Sequence, residues 1–400
     1  MDARRFDTLV RLLVAATPRR QILGSMVSAL LGGYAVARQA EAGCKKVGKK
    51  CDKNKDCCAG ARCQGGSNGK CRCKSGFSEC DKKCYDLQQD AEHCGACDIS
   101  CADGGPCTGG VCTARSYQYA GEWGAFGTAD GEFHEPIAIA MFSTGEILVA
   151  DSLNHRIQMF REDGFHFRTW GTPGLNPGEL SVPRGLGVNH GTRAVYVVDL
   201  GDRLQWFDEA GTFVNGFGAV GNGSGLFIDP WGFAIGEGGD LFVVDTGNHR
   251  VQRFQPGGAF VGEWGRRGSA DGEFENPCAI AVAMNGDVYV ADRGNARIQK
   301  FSASGTFLLA FGSAGTGDGE FGMVEGGLAV DALSRVFVSD VANHRIQVFD
   351  SNGRFLESFG TEGSGDGELR EPQGIAVDAA GTVYVADSGN DRIQKFTARP

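Results

Sequence analysis

Apolar and polar residues alternate in short segments along the larger, C-terminal part of the chain, and the alternation recurs about every 47 residues. The clearest segment is an apolar run that ends in Asp, such as VYVAD, followed by a short turn and a run such as RIQKF. A period of two, rich in β-branched and aromatic residues, predicts half-buried β-strands. Turn sequences such as AGT, NGD and SNG separate these runs, so each unit is predicted to contain four short strands, a to d.

The spacing of the units is nearly constant. The Asp residues that end the apolar runs are 48, 46, 47, 48 and 47 residues apart, so insertions are confined to single residues. A long Gly-rich loop precedes each unit and ends in Pro in five copies; in the fifth we place Glu325 in the proline position. Six units of four strands predict an all-β, six-bladed β-propeller.

The two ends of the repeat region are expected to meet. After the last RIQKF run no outer strand follows, whereas the segment from Tyr117 to Gly124 is similar to the outer strand FVGEWG of a later unit. We predict that this N-terminal strand completes the last blade and closes the ring, which removes an open sheet edge.

The six copies resemble NHL repeats, over roughly residues 117 to 396. The Asn-His pair that gives this repeat its name occurs at Asn154-His155, Asn248-His249 and Asn343-His344. The resemblance implies a six-bladed propeller, and it implies several activities: ligand or partner binding, RNA binding in tripartite-motif ubiquitin ligases, or lyase chemistry as in the peptide-amidating lyase.

Residues 1–42 have the features of an export signal. A basic start leads to Arg19-Arg20, an apolar run to about Val36, and an Ala-x-Ala sequence at 40–42. The paired arginines resemble a bacterial twin-arginine signal, although the Sec route stays open. The apolar run of about 15 residues is short for a membrane span, which needs roughly 20. We predict an exported bacterial protein, secreted, periplasmic or at the cell surface, with no transmembrane segment in the mature chain.

Residues 43–115 are predicted to form a disulfide-rich module, because this segment holds fourteen of the fifteen cysteines. Residues 44–71 resemble cystine-knot miniproteins, which implies pairing one to four, two to five and three to six, while spacing alone allows fifteen connectivities. Residues 73–112 form a second cluster. A ring-finger zinc site, which would suggest a ubiquitin-ligase-like protein, is disfavoured because the segment has one histidine and lacks the ligand spacing. The predicted disulfide cysteines are Cys44, Cys51, Cys57, Cys58, Cys63, Cys71, Cys73, Cys80, Cys84, Cys94, Cys97, Cys101, Cys107 and Cys112.

Charge disfavours nucleic acid as a partner. Residues 116–400 form the predicted propeller and contain 37 acidic and 20 basic residues, a net charge of −17. An acidic surface repels phosphate backbones. The partner is therefore expected to be a protein, a peptide or a glycan, and the propeller is expected to be monomeric.

Residues shared by all copies are interpreted as structural, and those that differ as functional. In a blade, the d–a loops and the b–c turns emerge on one face, which we call the long-loop face; binding residues favour such loops. The residues placed after the proline position, at the mouth of the central channel, are Ile137, Arg184, Trp231, Cys278, Gly326 and Gln373. An aromatic ring, a cation and an amide around one opening suit ligand binding, although neutral drift explains the same diversity. Turn-fixing and ion-pairing roles are assigned to Asp151, Asp199, Asp245, Asp292, Asp340, Asp387, Arg156, Arg203, Arg250, Arg297, Arg345 and Arg392.

A metal-dependent lyase or hydrolase is the alternative function. The motif histidines His155, His249 and His344 fall on alternate blades, too far apart to share one zinc ion. His134 and His190 remain as candidates for the channel. We predict no catalytic residues, no metal site and no cofactor. Calcium or zinc are the ions left as alternatives if a metal is bound. Cys278 is interpreted as a buried apolar side chain because no base is indicated beside it.

Overall fold

The computed structural model describes residues 117–236 and 238–399 in full, and seven short strands before them by their backbone. The chain divides into two compact units: Met1–Cys101 with Pro106–Thr113, and Ala102–Gly105 with Ala114–Pro400. The predicted signal peptide and the predicted disulfide bonds lie outside the described residues and side chains. The strands of the first unit are Lys50–Cys51, Ala61–Gln64, Gly69–Cys73, Ser78–Cys80, Lys83–Tyr85, Cys107–Thr108 and Val111–Cys112.

Within the first unit, Gly69–Cys73 is the central strand of a three-stranded sheet and pairs antiparallel with both of its neighbours. The remaining four strands form two antiparallel pairs.

The second unit contains six antiparallel sheets of four strands each, so the predicted six-bladed propeller is confirmed. In blades 1 to 5 the strands follow one another in the order a, b, c, d. Blade 1 comprises Pro136–Met141, Ile147–Asp151, Arg156–Phe160 and His166–Trp170. Blade 2 comprises Pro183–Asn189, Ala194–Asp199, Arg203–Phe207 and Phe213–Phe217. Blade 3 comprises Pro230–Ile235, Leu241–Asp245, Arg250–Phe254 and Phe260–Trp264.

Blades 4 and 5 continue the same order. Blade 4 comprises Pro277–Val282, Val288–Asp292, Arg297–Phe301 and Phe307–Phe311, and the short pair Ser313–Ala314 and Glu320–Phe321 lies in the loop after it. Blade 5 comprises Val324–Val330, Val336–Asp340, Arg345–Phe349 and Phe355–Phe359. Short 3₁₀ turns link strands b and c at Ser152–Asn154, Thr246–Asn248, Arg293–Asn295, Val341–Asn343 and Ser388–Asn390.

Blade 6 takes its outer strand from the start of the propeller sequence. Its strands a to c are Pro372–Val377, Val383–Asp387 and Arg392–Ala398, and Tyr117–Trp123 pairs antiparallel with the last of these. Strand a of blade 6 also contacts strand a of blade 1, as neighbouring inner strands do around the ring.

The core lies between adjacent blades and consists mainly of strand b and c side chains. The b strands read as continuous apolar runs because both of their faces are covered, and all five residues of Ile147–Asp151 are buried. Buried Phe residues at the ends of the c strands and in the d–a loops, such as Phe160 and Phe133, meet with ring centroids 5.5 Å apart. Each interface therefore depends on both neighbouring blades.

The Asp, Arg and Gln of each repeat hold the long loop in place, as blade 1 illustrates. Asp151 is fully buried and accepts hydrogen bonds from the His134 backbone N–H at 2.8 Å and from Arg156 Nε at 2.6 Å. Arg156 also donates to the carbonyl oxygens of residues 128, 129 and 132, and Gln158 donates to the oxygen of residue 132. The charge-assisted bonds of this cluster give a rigid loop platform.

The fifth blade differs from its predicted alignment. Val324, not Glu325, pairs opposite Asp340 in the register that proline occupies elsewhere, and the extra residue lies farther along strand a. The strand accommodates it by a bulge between Val324 and Leu328, where Gly326 adopts φ 77°. Our placement of Glu325 in the proline position was wrong, because the insertion falls in the strand rather than in the loop.

Among the described residues, none of the helices is long and apolar enough to span a membrane.

Candidate functional site

The long-loop face combines the d–a loops with the b–c turns. In blade 1 the backbone N–H of Leu153, in the b–c turn, donates to the oxygen of His134, in the d–a loop, at 3.1 Å. Equivalent bonds join Leu200 to Ser181 and Gly247 to Ile228. The loops of this face are thus tied to the turns that surround the channel.

A cavity of about 390 Å³ opens at the channel mouth on this face. Its walls combine apolar side chains, one aromatic ring, one cation, one amide and three carboxylates. The side chains that line it include those of Ile137, Leu153, Val182, Leu200, Arg184, Trp231, Gln373, Glu135, Glu325 and Glu371. This composition is typical of a ligand pocket, with an apolar wall and a few polar groups that orient the ligand.

Arg184 and Trp231 form the centre of the cavity wall, although they come from different blades. The guanidinium carbon of Arg184 lies 4.1 Å from the centroid of the Trp231 ring, and Arg184 Nη1 donates to Asp229 at 2.6 Å. Stacking on the ring and the ion pair together fix the plane of the guanidinium. Arg293, whose guanidinium carbon lies 5.8 Å from the centroid of the same Trp231 ring, pairs with Glu325.

Three polar atoms of this wall are buried and have no hydrogen-bond partner in the described part of the chain. They are Arg184 Nε, Trp231 Nε1 and Gln373 Oε1. Two are donors and one is an acceptor. A buried polar group without a partner costs about 1–3 kcal/mol, so a ligand that completes these bonds gains that free energy on binding.

The structure brings together four of the six residues predicted at the channel mouth: Ile137, Arg184, Trp231 and Gln373. Gly326 instead occupies the bulge of blade 5 and lines the narrow channel below, and Glu325 takes its place in the cavity. The sequence-based prediction put Gly326 rather than Glu325 at the mouth because it placed the inserted residue in the loop and not in strand a. It also missed Glu135, Val182 and Glu371, which lie two residues before the positions compared and directly before the proline.

Cys278 does not reach the cavity. Its side chain is fully buried between blades 4 and 5, and its thiol donates to the oxygen of Val324 at 3.2 Å. Burial raises the pKa of the Cys278 thiol to about 12. The prediction that Cys278 lies at the channel mouth was therefore wrong, whereas its interpretation as a buried side chain agrees with the structure.

The channel below the mouth is narrow. A cavity of only about 50 Å³ lies there, lined largely by residues of the six inner strands such as Ile139, Leu186, Phe233 and Ile280. A ligand at the mouth thus lies above a channel with little free volume.

The motif histidines fasten one blade to the next. His155 Nδ1 accepts the backbone N–H of Val182 at 3.0 Å, and His249 Nδ1 accepts that of Asn276 at 3.0 Å. His344 does the same for Glu371 at 3.1 Å. Blades 2 and 6 use a carboxylate at this position, where Asp202 accepts from residue 229 and Asp391 from residue 135.

The two other candidate histidines do not converge. His134 lies in a d–a loop on the long-loop face, with its ring 5.1 Å from that of Phe126. His190 lies at an a–b turn and lines two cavities on the opposite face, of about 650 and 450 Å³. Among the described residues, no group of three His, Cys, Asp or Glu side chains is arranged to hold a metal ion.

Four segments match the NHL repeat: residues 133–160, 227–254, 274–301 and 369–396, which fall in blades 1, 3, 4 and 6. These four blades are NHL repeats. The NHL resemblance predicted from the repeated units is confirmed for them.

Two curated relatives each match this chain over 43 residues. The B-box type zinc finger protein ncl-1 of Caenorhabditis elegans is 46% identical over that length, and Protein brain tumor of Drosophila melanogaster is 44% identical. Each match covers 11% of this chain but only 5% and 4% of the two relatives. The likeness therefore concerns about one blade.

Solved structures resemble the propeller over most of its length. A streptogramin B lyase matches with a TM-score of 0.51 and 14% identity, covering 72% of this chain and 100% of the lyase. A gluconolactonase from Xanthomonas campestris matches with a TM-score of 0.50 and 15% identity, covering 72% and 99%. A protein of unknown function from Bacteroides thetaiotaomicron matches with a TM-score of 0.55 and 16% identity, covering 85% and 87%. At these identities the likeness concerns the fold alone.

Proposed function

We propose that this protein is an exported, non-enzymatic binding scaffold whose NHL propeller holds a protein, peptide or glycan ligand at the mouth cavity of the long-loop face. The observation that carries the proposal is that three residues lining this one cavity, Arg184, Trp231 and Gln373, each have a buried polar atom without a hydrogen-bond partner in the described part. Rigid repeats present such a cavity without a change of shape.

The site offers recognition rather than an evident reaction. Arg184 is held by Asp229 and by the Trp231 ring, so its charge is already balanced. The carboxylates of Glu135 and Glu371 line the cavity without a hydrogen-bonded base or nucleophile among the described residues. A metal-dependent lyase or hydrolase is the alternative.

Binding to two panels, one of immobilised glycans and one of short synthetic peptides, tests the proposal with the full chain. Trp231→Phe removes the indole N–H but keeps an aromatic ring under Arg184, and Gln373→Leu removes the acceptor. Each is expected to weaken binding about tenfold, as the loss of one buried hydrogen bond to the ligand predicts.

Met284→Ala is the control, since Met284 is exposed and lines the cavities of the opposite face. The proposal is overturned if binding survives both mouth substitutions unchanged, or if only Met284→Ala affects it. Turnover of a panel member by the full chain, sensitive to a chelator, would instead support the lyase or hydrolase alternative.

A further inference from the structure

The long-loop face is chemically uneven around the ring. The third residue of each d–a loop, counted from the glycine that opens the loop, occupies an equivalent place around the ring. In the loops before blades 1 to 4 and 6 its backbone forms a parallel bridge with the buried Phe or Leu seven residues later. Around the ring, from blade 1 to blade 6, this residue is Phe126, Pro173, Val220, Arg267, Ala314 and Glu362. Three apolar positions in succession are thus followed by charged or small ones.

Exposed apolar side chains concentrate on the first half of this face. Phe126 is 68% exposed, Leu175 67% and Val220 71%. Leu226 and Ile228, in the same loop as Val220, are also exposed. We call these five residues the apolar arc. Large exposed apolar groups that cluster on one side of a face mark an interaction surface.

The apolar arc continues into the mouth cavity. Leu175 packs against Gly201, since its Cδ2 atom lies 3.2 Å from the position that a Cβ atom on Gly201 would take. Gly201 directly follows Leu200, which lines the cavity. At the other end, the Phe126 ring contacts His134, whose carbonyl oxygen is bonded to Leu153 of the same wall. One ligand can therefore cover both surfaces.

The charge at the mouth is negative. Arg184 and Arg293 are each paired with a carboxylate, Asp229 and Glu325. Glu135 and Glu371 also line the cavity, and neither makes an ion pair among the described residues. Two unpaired carboxylates beside a cavity favour a cationic group on the ligand.

We propose that the ligand is a polypeptide segment that places large apolar side chains on the apolar arc and a Lys or Arg beside Glu135 and Glu371. The inference rests on the proposed function, because it uses the same cavity. A peptide backbone supplies carbonyl oxygens for the two unpartnered donors and an N–H for Gln373 Oε1. A glycan offers hydroxyl groups but neither large apolar side chains nor, in general, a positive charge.

Three probes test this with the full chain: a pool of short peptides built from Leu, Phe, Lys, Arg, Gly and Ser; the same pool with Asp and Glu in place of Lys and Arg; and the glycan panel. The basic pool is expected to bind at least about tenfold more tightly than the acidic pool, and its binding is expected to weaken as salt is added.

Matched substitutions locate the contact. Val220→Asp is expected to weaken binding of the basic pool about tenfold, whereas Val261→Asp, at an exposed valine on an outer strand, leaves it unchanged. Glu371→Gln is expected to lower the salt dependence, and Glu162→Gln, on the opposite face, does not.

The outcomes separate the two proposals. Equal binding of the acidic and basic pools, or loss with Val261→Asp but not with Val220→Asp, overturns the polypeptide inference. Glycan binding that depends on Trp231 overturns it too, while the proposed function stands. If none of the three probes binds in a way that depends on Trp231, both are overturned.

Discussion

The strand Tyr117–Trp123 is expected to stabilise the whole ring, and Tyr117 is the residue with which to measure its contribution. Its ring is only 5% exposed and lies 4.9 Å from the Phe359 ring and 5.8 Å from the Phe337 ring. Its hydroxyl accepts a hydrogen bond from Arg335 Nη2 at 3.0 Å. This one side chain therefore joins the added strand to blade 5.

The magnitude follows from these contacts. Replacing a buried aromatic ring by Ala costs about 3–5 kcal/mol of unfolding free energy, through lost burial and the cavity left behind. Arg335 is also buried, and one of its terminal nitrogens already has no partner among the described residues. We expect Tyr117→Ala to lower the unfolding free energy by about 4 kcal/mol, and the melting temperature by roughly 8 °C for a domain of this size.

Thermal unfolding of the full chain, followed by circular dichroism and calorimetry, measures this effect. Tyr117→Phe keeps the ring and removes only the hydroxyl, so about 1–2 kcal/mol should be lost. Gln118→Ala is the control, because Gln118 is exposed on the same strand and opposite Thr397. A melting temperature for Tyr117→Ala within about 1 °C of that of Gln118→Ala would refute the reasoning, since the strand would then contribute nothing to the ring.

Four further results are expected. Burial raises the pKa of Tyr117 from 10.0 to about 12, so the unfolded tyrosine ionises first and stability falls as pH rises from 10 towards 12; unfolding titrations should show a smaller fall in Tyr117→Phe. His249→Ala should cost about 1 kcal/mol in denaturant unfolding by leaving the Asn276 N–H without its acceptor, whereas His249→Asp should cost less; equal losses would contradict this role. Iodoacetamide should leave the peptide containing Cys278 unlabelled in the native protein and label it after unfolding, as read by mass spectrometry; rapid native labelling would contradict its burial. Replacing both Arg19 and Arg20 by Lys should retain the precursor inside the cell in a bacterial export assay, and unaffected export would favour the Sec route.

The repeat made the fold predictable. Each copy carries its own strand alternation, its turn residues and its Asp and Arg groups, so six imperfect copies report the same architecture six times. The one alignment error came in blade 5, where Val324 rather than Glu325 takes the proline register. A one-residue insertion within a strand would move the following side chains to the opposite face of the sheet. The sequence of one blade does not show whether the extra residue lies in a loop or in a β-bulge.

The site was predictable only in part, because its residues come from different blades. The difference between copies pointed to Arg184, Trp231 and Gln373, which do line one cavity. It also pointed to Cys278, which is buried, because the direction of a side chain at a bulged strand start depends on the neighbouring blade. The stacking of Arg184 on Trp231 joins positions 47 residues apart and leaves no local trace in the sequence.

By itself, then, the sequence determined the number of blades, their strands and the face that bears the long loops, because these depend on local periodicity and turn chemistry. Only the tertiary structure decided which of the varied residues meet, which polar atoms are left without partners, and where the apolar arc joins the mouth cavity. Those properties depend on distances between blades. Such distances are set by the packing of the whole ring rather than by any one repeat.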